Sequence, residues 1–241
     1  MAILRVGVAY PDPPFNGVGD GGVANGGLDI DLIHAVAAAM GMTVELVAYE
    51  GADFNGVFDG LAAGRYDCVI AGTTVTPQRR RRAAFAPPYL ISGQALAVDT
   101  ERLRSVRSID DLAGLIIGVQ QGNTSQPIAE RLVAEGRAKA VRVYDYGSIR
   151  TALTDLATGG CDAFMKLAPV LAELVAPFAG VEVVQRNISR EDIAIAVALG
   201  DDAMLQRITA AQAELEDAGT LQGIRRKWLG NPYIDQSLAA H

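Results

Sequence analysis

Arg79 has the type and position best suited to bind a carboxylate. Thr76 is a good helix cap and Pro77 suits the first helical position, so Arg79 is predicted in a first helical turn, just after a strand at 68–71. A planar guanidinium there can donate two parallel hydrogen bonds to a carboxylate, and a charge-assisted bond contributes roughly 1.5–3 kcal/mol. The alternative is that the four consecutive arginines from Arg79 onward form a solvated basic turn, which is our expectation for the last three.

A second candidate anion site is the segment 122–125, hereafter the anion loop. It precedes a helix predicted at 125–135. The first amides of a helix have no intrahelical partner and can bind a negatively charged group. The alternative is ordinary helix capping, which can coexist with binding.

Composition and motifs exclude several classes of function. Lys+Arg number 21 and Asp+Glu number 28, and the net charge of −7 argues against a general electrostatic grip on nucleic acid or anionic lipid. Cys68 and Cys161 read as small buried hydrophobes, and His34 and His241 are poor metal ligands. Nucleotide-binding, serine-hydrolase and zinc-protease motifs are absent, so we expect no metal and no cofactor.

The sequence shows neither a membrane span nor a leader. No apolar run reaches the roughly 18–20 residues that a membrane helix needs. Residues 1–6 lack the basic start, apolar stretch and cleavage site of a signal peptide. Two expectations follow and stay open: a cytosolic protein, or an exported one whose leader has been removed.

Strands and helices alternate along the chain, which predicts an α/β protein with mostly parallel sheets covered by helices. This order occurs twice, before and after about residue 94, and indicates two lobes. Ligands of open α/β sheets bind at the carboxyl ends of strands, so a cleft between the lobes is the expected site. The strands are predicted at 3–9, 43–47, 68–71, 116–119, 141–144, 162–165 and 193–197, and the helices at 29–40, 54–63, 108–112, 125–135, 148–157 and 204–218.

Nine short motifs occur in order over nearly the whole chain. They include Pro13-Pro14-Phe15, Gly27-Leu28-Asp29-Ile30-Asp31-Leu32, Gly72-Thr73-Thr74-Val75-Thr76-Pro77-Gln78-Arg79, Gly118-Val119-Gln120-Gln121-Gly122-Asn123-Thr124 and Lys227-Trp228-Leu229-Gly230. Their order and spacing resemble the polar amino-acid-binding family of the bacterial extracytoplasmic solute-binding proteins that serve ABC importers.

The resemblance implies a type II periplasmic-binding-protein fold. Its two α/β lobes are joined by two crossover strands, here about 89–93 and 192–195, with the ligand cleft between them. Lobe 1 would comprise 1–88 plus 196–241, and lobe 2 would comprise 94–191. The lobes close on the ligand by hinge bending. We therefore expect a monomer outside the cytoplasm, with its leader removed and with or without a lipid anchor, and with the ABC transporter membrane subunits as partners.

The resemblance also implies roles for individual residues. The ligand's α-carboxylate would be held by Arg79 from lobe 1 and by the anion loop from lobe 2. Phe54 would pack on the ligand, although a plain core role is an equal alternative. The full set of expected ligand-binding residues is Arg79, Thr74, Gly72, Asn123, Thr124, Phe54, Asp12, Lys166 and Phe15.

Two departures from the family pattern leave the ligand class open. Leu167 stands where the family has an acidic residue for the α-ammonium, Lys166 stands beside it, and Asp12 replaces a frequent aromatic residue. In one reading, Asp12 receives the ammonium and Lys166 a second anionic group. In another, the ligand has no α-amino group, and Arg79 and Lys166 bracket a di-acid or another anionic metabolite. In a third, Lys166 points to solvent or pairs with Asp12.

Two other classes of function stay open at this level. A few proteins of this fold are enzymes, such as the cyclohexadienyl dehydratases, and Asp12 with Lys166 is the only acid–base pair available here. The chain could also be a ligand-sensing domain of a receptor. We expect a binding protein and not an enzyme, because neither spacing nor neighbours argue for catalysis.

Overall fold

The computed structural model describes residues 2–17 and 26–230, and the chain divides into two compact units. Unit 1 comprises Met1–Glu50, Asn55–Ile91 and Asp192–His241, and unit 2 comprises Gly51–Phe54 and Ser92–Glu191. The short segment Gly51–Phe54 thus belongs to unit 2, although the chain on both sides of it belongs to unit 1. His241 lies outside the described residues.

The protein is mixed α/β, as the sequence predicts. Three short 3₁₀ turns, at Phe54–Gly56, Ile109–Asp111 and Tyr146–Ser148, accompany the regular elements. The strands are β1 (Ala2–Ala9), β2 (Met42–Tyr49), β3 (Cys68–Val69), β4 (Ala83–Phe85), β5 (Leu90–Ser92), β6 (Gln94–Asp99), β7 (Ile116–Gln120), β8 (Ala140–Tyr144), β9 (Ala163–Leu167), β10 (Val181–Gln185), β11 (Glu191–Ile193) and β12 (Ala196–Ala198). The helices are α1 (Leu28–Ala39), α2 (Val57–Ala62), α3 (Pro77–Arg80), α4 (Ser125–Ala134), α5 (Ile149–Thr158), α6 (Ala168–Val175), α7 (Asp202–Asp217) and α8 (Thr220–Leu229).

The sheet of unit 1 has the strand order β2–β1–β3–β12–β4. β1 runs parallel to β2 and β3, whereas β12 runs antiparallel to β3 and β4. The prediction of a mostly parallel sheet is therefore wrong for this unit. The parallel pairs are joined through helices, whereas β12 enters the sheet directly from the second passage of the chain, without a crossover helix before it.

The sheet of unit 2 is mixed in the same way, with the order β10–β6–β9–β7–β8. β7 is parallel to β8 and β9, and β6 is antiparallel to β9 and β10. Both faces are buried: one carries Phe164, Leu156 and Leu171, and the other carries Leu96 and Met165. Two buried faces explain why the inner strands β6, β7 and β9 read as mostly apolar runs without alternation.

The last strand predicted from the sequence, at 193–197, is two strands. β11 pairs with β5, whereas β12 lies in the sheet of unit 1. Ala194 and Ile195 connect them, with the Ala194 amide bonded to the Thr73 carbonyl at 3.0 Å and the Ile195 carbonyl accepting from the Ala86 amide at 3.0 Å. The apolar run is continuous in sequence because both strands and their connection are buried. The hydrophobic pattern therefore gave no sign that the chain leaves its pairing with β5 and enters the sheet of unit 1.

The Tyr66 ring lies so close to Gly7 of β1 that any side chain at this position would clash with the ring. A Cβ at Gly7 would lie 2.7 Å from the Tyr66 ring, and the Tyr66 hydroxyl is held by the Val57 carbonyl. We expect Gly7→Ala to lower the free energy of unfolding by about 1–3 kcal/mol because the ring cannot move away without losing that bond. Urea unfolding measures the change.

Gly223→Ala is the matched control for Gly7→Ala. Gly223 lies in α8, where a Cβ would meet nothing within 4 Å. Alanine there should leave stability unchanged or raise it by about 0.5–1 kcal/mol. Equal stability of the two variants would contradict the packing explanation.

Candidate functional site

Arg79 lies in the first turn of α3, as predicted. The Thr76 side chain accepts a hydrogen bond from the Arg79 amide at 3.1 Å, and Pro77 begins the helix. Arg79 is 5% exposed, whereas the next two arginines are exposed. Arg82, expected to be solvated with them, is half-buried and pairs with Asp59 at 2.5 Å. Only the first arginine of the run is buried, which separates it from a solvated basic turn.

Contacts within unit 1 orient the Arg79 guanidinium. Its Nε donates to Oδ1 of Asn55 at 3.1 Å, and its Nη1 donates to the Thr74 carbonyl oxygen at 3.0 Å. Its Cζ atom lies 5.8 Å from the centre of the Phe58 ring, within cation–π range. These contacts fix the plane of a permanently charged group, as bidentate recognition of a carboxylate requires.

The turn after β3 is held by a buried carboxylate, that of Asp29. Gly72 is left-handed, with φ of +54°, and its amide donates to Asp29 Oδ2 at 2.7 Å. The Tyr89 hydroxyl donates to the other oxygen at 2.6 Å. The Gly72 amide is thus committed to Asp29, and the expected ligand contact of Gly72 stays a prediction. Asp29 belongs to the motif 27–32, but the sequence did not predict this role for it.

Burial raises the pKa of Asp29 to about 7. The hydrogen bonds from Tyr89 and Gly72 oppose this shift, and the negative charge of Asp12 adds to it. The side chain is fully buried, so the desolvation of the charged form outweighs the two bonds. Asp29 therefore titrates near neutral pH at the base of the turn that precedes Arg79.

Asp12 and Phe15 belong to one tight turn of unit 1. The Asp12 amide donates to Oδ1 of Asn16 at 3.0 Å, and the Asp12 carbonyl accepts from the amides of Phe15 and Asn16. Asp12 is buried, and so is Phe15. A Cβ at Gly72 would lie 3.4 Å from the Phe15 ring, so this ring packs against the turn at Gly72.

In unit 2, the anion loop connects β7 to the start of α4. Its backbone is fixed by the Asn123 amide bonding to the Gln120 carbonyl at 3.2 Å and by the Gly122 amide bonding to Gln126 Oε1 at 3.0 Å. The Asn123 side chain donates to Gln120 Oε1 at 3.4 Å. Thr124 occupies the cap position of α4, but its side chain makes no capping bond.

The Thr124 hydroxyl is bonded to a buried glutamate instead. It donates to Glu191 Oε2 at 2.8 Å and accepts from Gln94 Nε2 at 3.0 Å. Glu191 Oε1 also accepts from Gln94 at 3.1 Å and from Ser189 at 2.8 Å. The hydroxyl proton is thus engaged by Glu191, and the expected ligand contact of Thr124 stays a prediction. Glu191 lies 67 positions from Thr124, and no local pattern indicated it.

Lys166 is a buried cation at the end of β9. It is 2% exposed and therefore does not point to solvent, whereas its pairing with Asp12, the other half of that reading, stays a prediction. Its Nζ donates to Gln120 Oε1 at 2.5 Å and lies 5.7 Å from the centre of the Tyr146 ring. Gln120 Nε2 in turn donates to the Tyr146 carbonyl at 2.5 Å. Leu167, which follows, is buried as well.

Phe54 belongs to the same part of unit 2. Its ring centre lies 5.4 Å from that of Tyr146, and both residues are buried. Backbone bonds from Phe54 to Gln121 at 3.2 Å and from Tyr146 to Ala52 at 2.6 Å attach the 51–54 segment to the strand ends. The ring stacks against protein, as a core residue does, and the expected contact with a ligand stays a prediction.

In the described ranges 2–17 and 26–230, no three His, Cys, Asp or Glu side chains come together as a metal site. Cys68 and Cys161 are both buried and free, and burial raises the pKa of each thiol. Across the same ranges, no helix has the length and apolar composition needed to span a bilayer.

Known proteins match this chain over almost its whole length, both in sequence and in structure. Residues 4–231 match the family described as bacterial extracellular solute-binding proteins, family 3. The L-cystine-binding protein TcyJ of Escherichia coli strain K12 is 28% identical over 228 residues, 94% of this chain and 82% of that protein. A solved ancestral arginine-binding protein bound to arginine has a TM-score of 0.86 at 34% identity, covering 95% of this chain and 99% of the other. A solved ancestral arginine-binding protein bound to glutamine has a TM-score of 0.85 at 35% identity, and the match covers 96% of this chain and 99% of the other.

The raised pKa of Asp29 makes stability depend on pH. The folded state binds the Asp29 proton more tightly than the unfolded chain, so the free energy of unfolding falls as pH rises from about 4 to about 7. Asp29→Asn removes this slope. The difference in unfolding free energy between wild type and variant should therefore fall by up to about 4 kcal/mol across the interval, measured by urea unfolding.

Asp31→Asn is the control for Asp29→Asn. Burial alone would raise the Asp31 pKa, but hydrogen bonds from Lys227 and Trp228 lower it below its usual value. Removing this carboxyl should change the pH slope in the opposite direction. A difference between wild type and Asp29→Asn that is constant from pH 4 to 8 would contradict the titration of Asp29.

Proposed function

Because the chain belongs to the bacterial extracellular solute-binding proteins of family 3, we propose that it binds a small carboxylate-bearing solute and delivers it to an ABC importer. The solute is an amino acid or a related organic acid, a class that relatives named for cystine and arginine support. In this proposal the partners are the membrane subunits of the importer, and the protein acts as a monomer outside the cytoplasm.

One observation carries the proposal: the buried and oriented guanidinium of Arg79. Two hydrogen bonds to neutral oxygens of Asn55 and Thr74 hold it in one plane. A group that is already ordered loses little conformational entropy when it binds, so more of the ion-pair energy appears as affinity. We assign the ligand carboxylate to this guanidinium.

Unit 2 contributes a second set of donors in this proposal. We assign this role to the backbone amides of Asn123 and Thr124 and of the start of α4. A helix start attracts anions through its amides and its dipole. The hydrogen bond of the Thr124 hydroxyl to Glu191 holds the loop in place.

We further propose that binding is coupled to hinge bending. The crossover segments 89–93 and 192–195 contain most of β5 and β11, the two strands that pair with each other where the chain passes between the units. A ligand that contacts both units favours the closed state by its higher affinity for that state. The importer would then recognise the closed form.

We do not propose catalysis or sensing as the function. The three relatives compared above are named as binding proteins. Incubating the pure protein with prephenate or arogenate distinguishes the enzyme: we expect no turnover, and product formation would overturn the assignment.

Removing the guanidinium should weaken the binding of carboxylates. We expect Arg79→Ala to weaken binding of every carboxylate ligand by at least about tenfold, because a charge-assisted bond contributes roughly 1.5–3 kcal/mol. A thermal-shift screen over amino acids, dicarboxylates, keto acids and aromatic acids identifies the ligand, and titration calorimetry then measures the affinity.

Arg81→Ala is the matched control, since Arg81 is exposed and follows α3 directly. It should bind as the wild type does. Arg79→Lys keeps the charge but loses the forked geometry, and we expect intermediate affinity. Unchanged ligand stabilisation in Arg79→Ala would reject Arg79 as the anchor.

A further inference from the structure

We propose that Tyr89 and Gln94 are positioning residues for ligand binding, and that each couples the first crossover segment to the carboxylate-binding loop of its own unit. The inference rests on the proposed function and deepens it, because it names the residues through which the hinge and the binding loops act on each other. Neither residue is assigned a contact with the ligand.

The two residues stand at the ends of the segment in which the chain first passes between the units. Tyr89 is the first residue of the crossover segment 89–93 and belongs to unit 1, whereas Gln94 directly follows this segment and belongs to unit 2. Tyr89 is 1% exposed and Gln94 is 2% exposed. A buried polar group that loses its hydrogen bond leaves a desolvated partner, so such bonds hold both residues in place.

In unit 1, the Tyr89 side chain connects the crossover segment to the turn that precedes Arg79. The Tyr89 hydroxyl donates to Asp29 Oδ1 at 2.6 Å, and Asp29 Oδ2 accepts from the Gly72 amide at 2.7 Å. One buried carboxylate therefore bonds the crossover residue and the turn at the same time.

The Tyr89 backbone is fixed as well. Its amide donates to the Ile193 carbonyl at 2.9 Å, and its carbonyl accepts from Nη1 of Arg225 at 3.2 Å. Arg225 is itself held by two hydrogen bonds to the Glu216 carboxylate, at 3.0 and 2.5 Å. Because its backbone is fixed in this way, the Tyr89 side chain can hold Asp29 in one position.

The same turn of unit 1 is also bonded to the second crossover segment. The Val75 amide donates to the Asp192 carbonyl at 2.8 Å, and the Ala194 amide donates to the Thr73 carbonyl at 3.0 Å. The turn that leads to Arg79 is therefore attached to both segments in which the proposed hinge bends.

In unit 2, Gln94 makes the matching connection to the anion loop. Its Nε2 donates to the Thr124 hydroxyl at 3.0 Å and to Glu191 Oε1 at 3.1 Å. Its amide donates to Ser189 Oγ at 3.0 Å, and the Ser189 hydroxyl donates to Glu191 Oε1 at 2.8 Å. Glu191 begins β11 and also accepts from the Thr124 hydroxyl. The anion loop is thus bonded to the residues next to both crossover segments.

These bonds make the order of each binding loop depend on the hinge. A loop that is already held in its binding conformation loses less conformational entropy when the ligand binds. Because the bonds that hold the two loops end at the crossover segments, bending of the hinge changes them. A ligand that favours one loop conformation therefore favours the matching hinge conformation by the same free energy.

Tyr89→Phe and Gln94→Met keep nearly the size of the side chain and remove its hydrogen bonds. The probe is the one of the protein L-amino acids, succinate and glutarate that gives the wild type the largest thermal shift. We expect each variant to bind this probe at least about threefold more weakly in titration calorimetry, because losing one hydrogen bond changes an equilibrium constant by about three- to tenfold.

Tyr66→Phe and Gln185→Met are the matched controls in the two units. Tyr66 is buried, and its hydroxyl donates to the Val57 carbonyl. Gln185 Oε1 accepts from the Ile109 amide at 2.7 Å. Each control loses a hydrogen bond that involves neither a crossover segment nor a binding loop, so its affinity for the probe should stay within about twofold of the wild type.

Amide hydrogen exchange of the protein without probe distinguishes positioning from a general loss of stability. Tyr89→Phe should speed exchange of the Gly72 amide at least about threefold and leave the Asn123 amide at the wild-type rate. Gln94→Met should speed exchange of the Asn123 amide and leave the Gly72 amide unchanged. A general loss of stability would speed both amides in both variants.

The outcomes separate this inference from the proposed function. A folded variant that binds the probe as the wild type does, or that speeds both amides equally, overturns the positioning role of its residue and leaves the proposed function standing. If Gln94→Met does not fold, Ser189→Ala removes the hydroxyl between the Gln94 amide and Glu191 and is measured with the same expectations. If none of these acids binds the wild type, the proposed function fails and the inference fails with it.

Discussion

The site depends on holding a charged guanidinium out of water in one orientation. Burying Arg79 costs solvation energy, and hydrogen bonds to Asn55 and Thr74 with the Phe58 ring offset part of that cost. The short helix α3 makes this possible, because its Thr76 cap sets the direction in which the side chain leaves the backbone. Because the guanidinium is buried, its interaction with a ligand carboxylate is stronger than it would be in water.

Behind the guanidinium, a second buried charge organises the turn. Asp29 bonds the Gly72 amide and the Tyr89 hydroxyl, and so connects the end of β3 with the residue that precedes β5. Because β5 is where the chain passes between the units, this carboxylate lies between the turn before Arg79 and the proposed hinge. Its raised pKa is the consequence of placing it in the core of unit 1. In unit 2, Glu191 of β11 likewise connects this strand to the anion loop, because its carboxylate accepts a hydrogen bond from the Thr124 hydroxyl.

Features set by neighbouring residues could be predicted from the sequence, whereas contacts between residues far apart in the chain could not. Thr76 and Pro77 define the start of α3 within four residues, so the position of Arg79 follows from sequence. The partners of Thr124 lie 30 and 67 positions away, and only tertiary packing brings them together. For the same reason the strand β6, the split of the strand at 193–197 and the antiparallel direction of β12 were missed. The order of the motifs identified the family from the sequence. The burial of Lys166 and its hydrogen bond to Gln120 could be seen only in the folded structure.

The most direct test is a crystal structure of the complex with the acid that gives the largest thermal shift. The account predicts one ligand carboxylate with both oxygens about 3 Å from the Arg79 guanidinium nitrogens. A ligand whose carboxylate is bound away from the Arg79 guanidinium would contradict it.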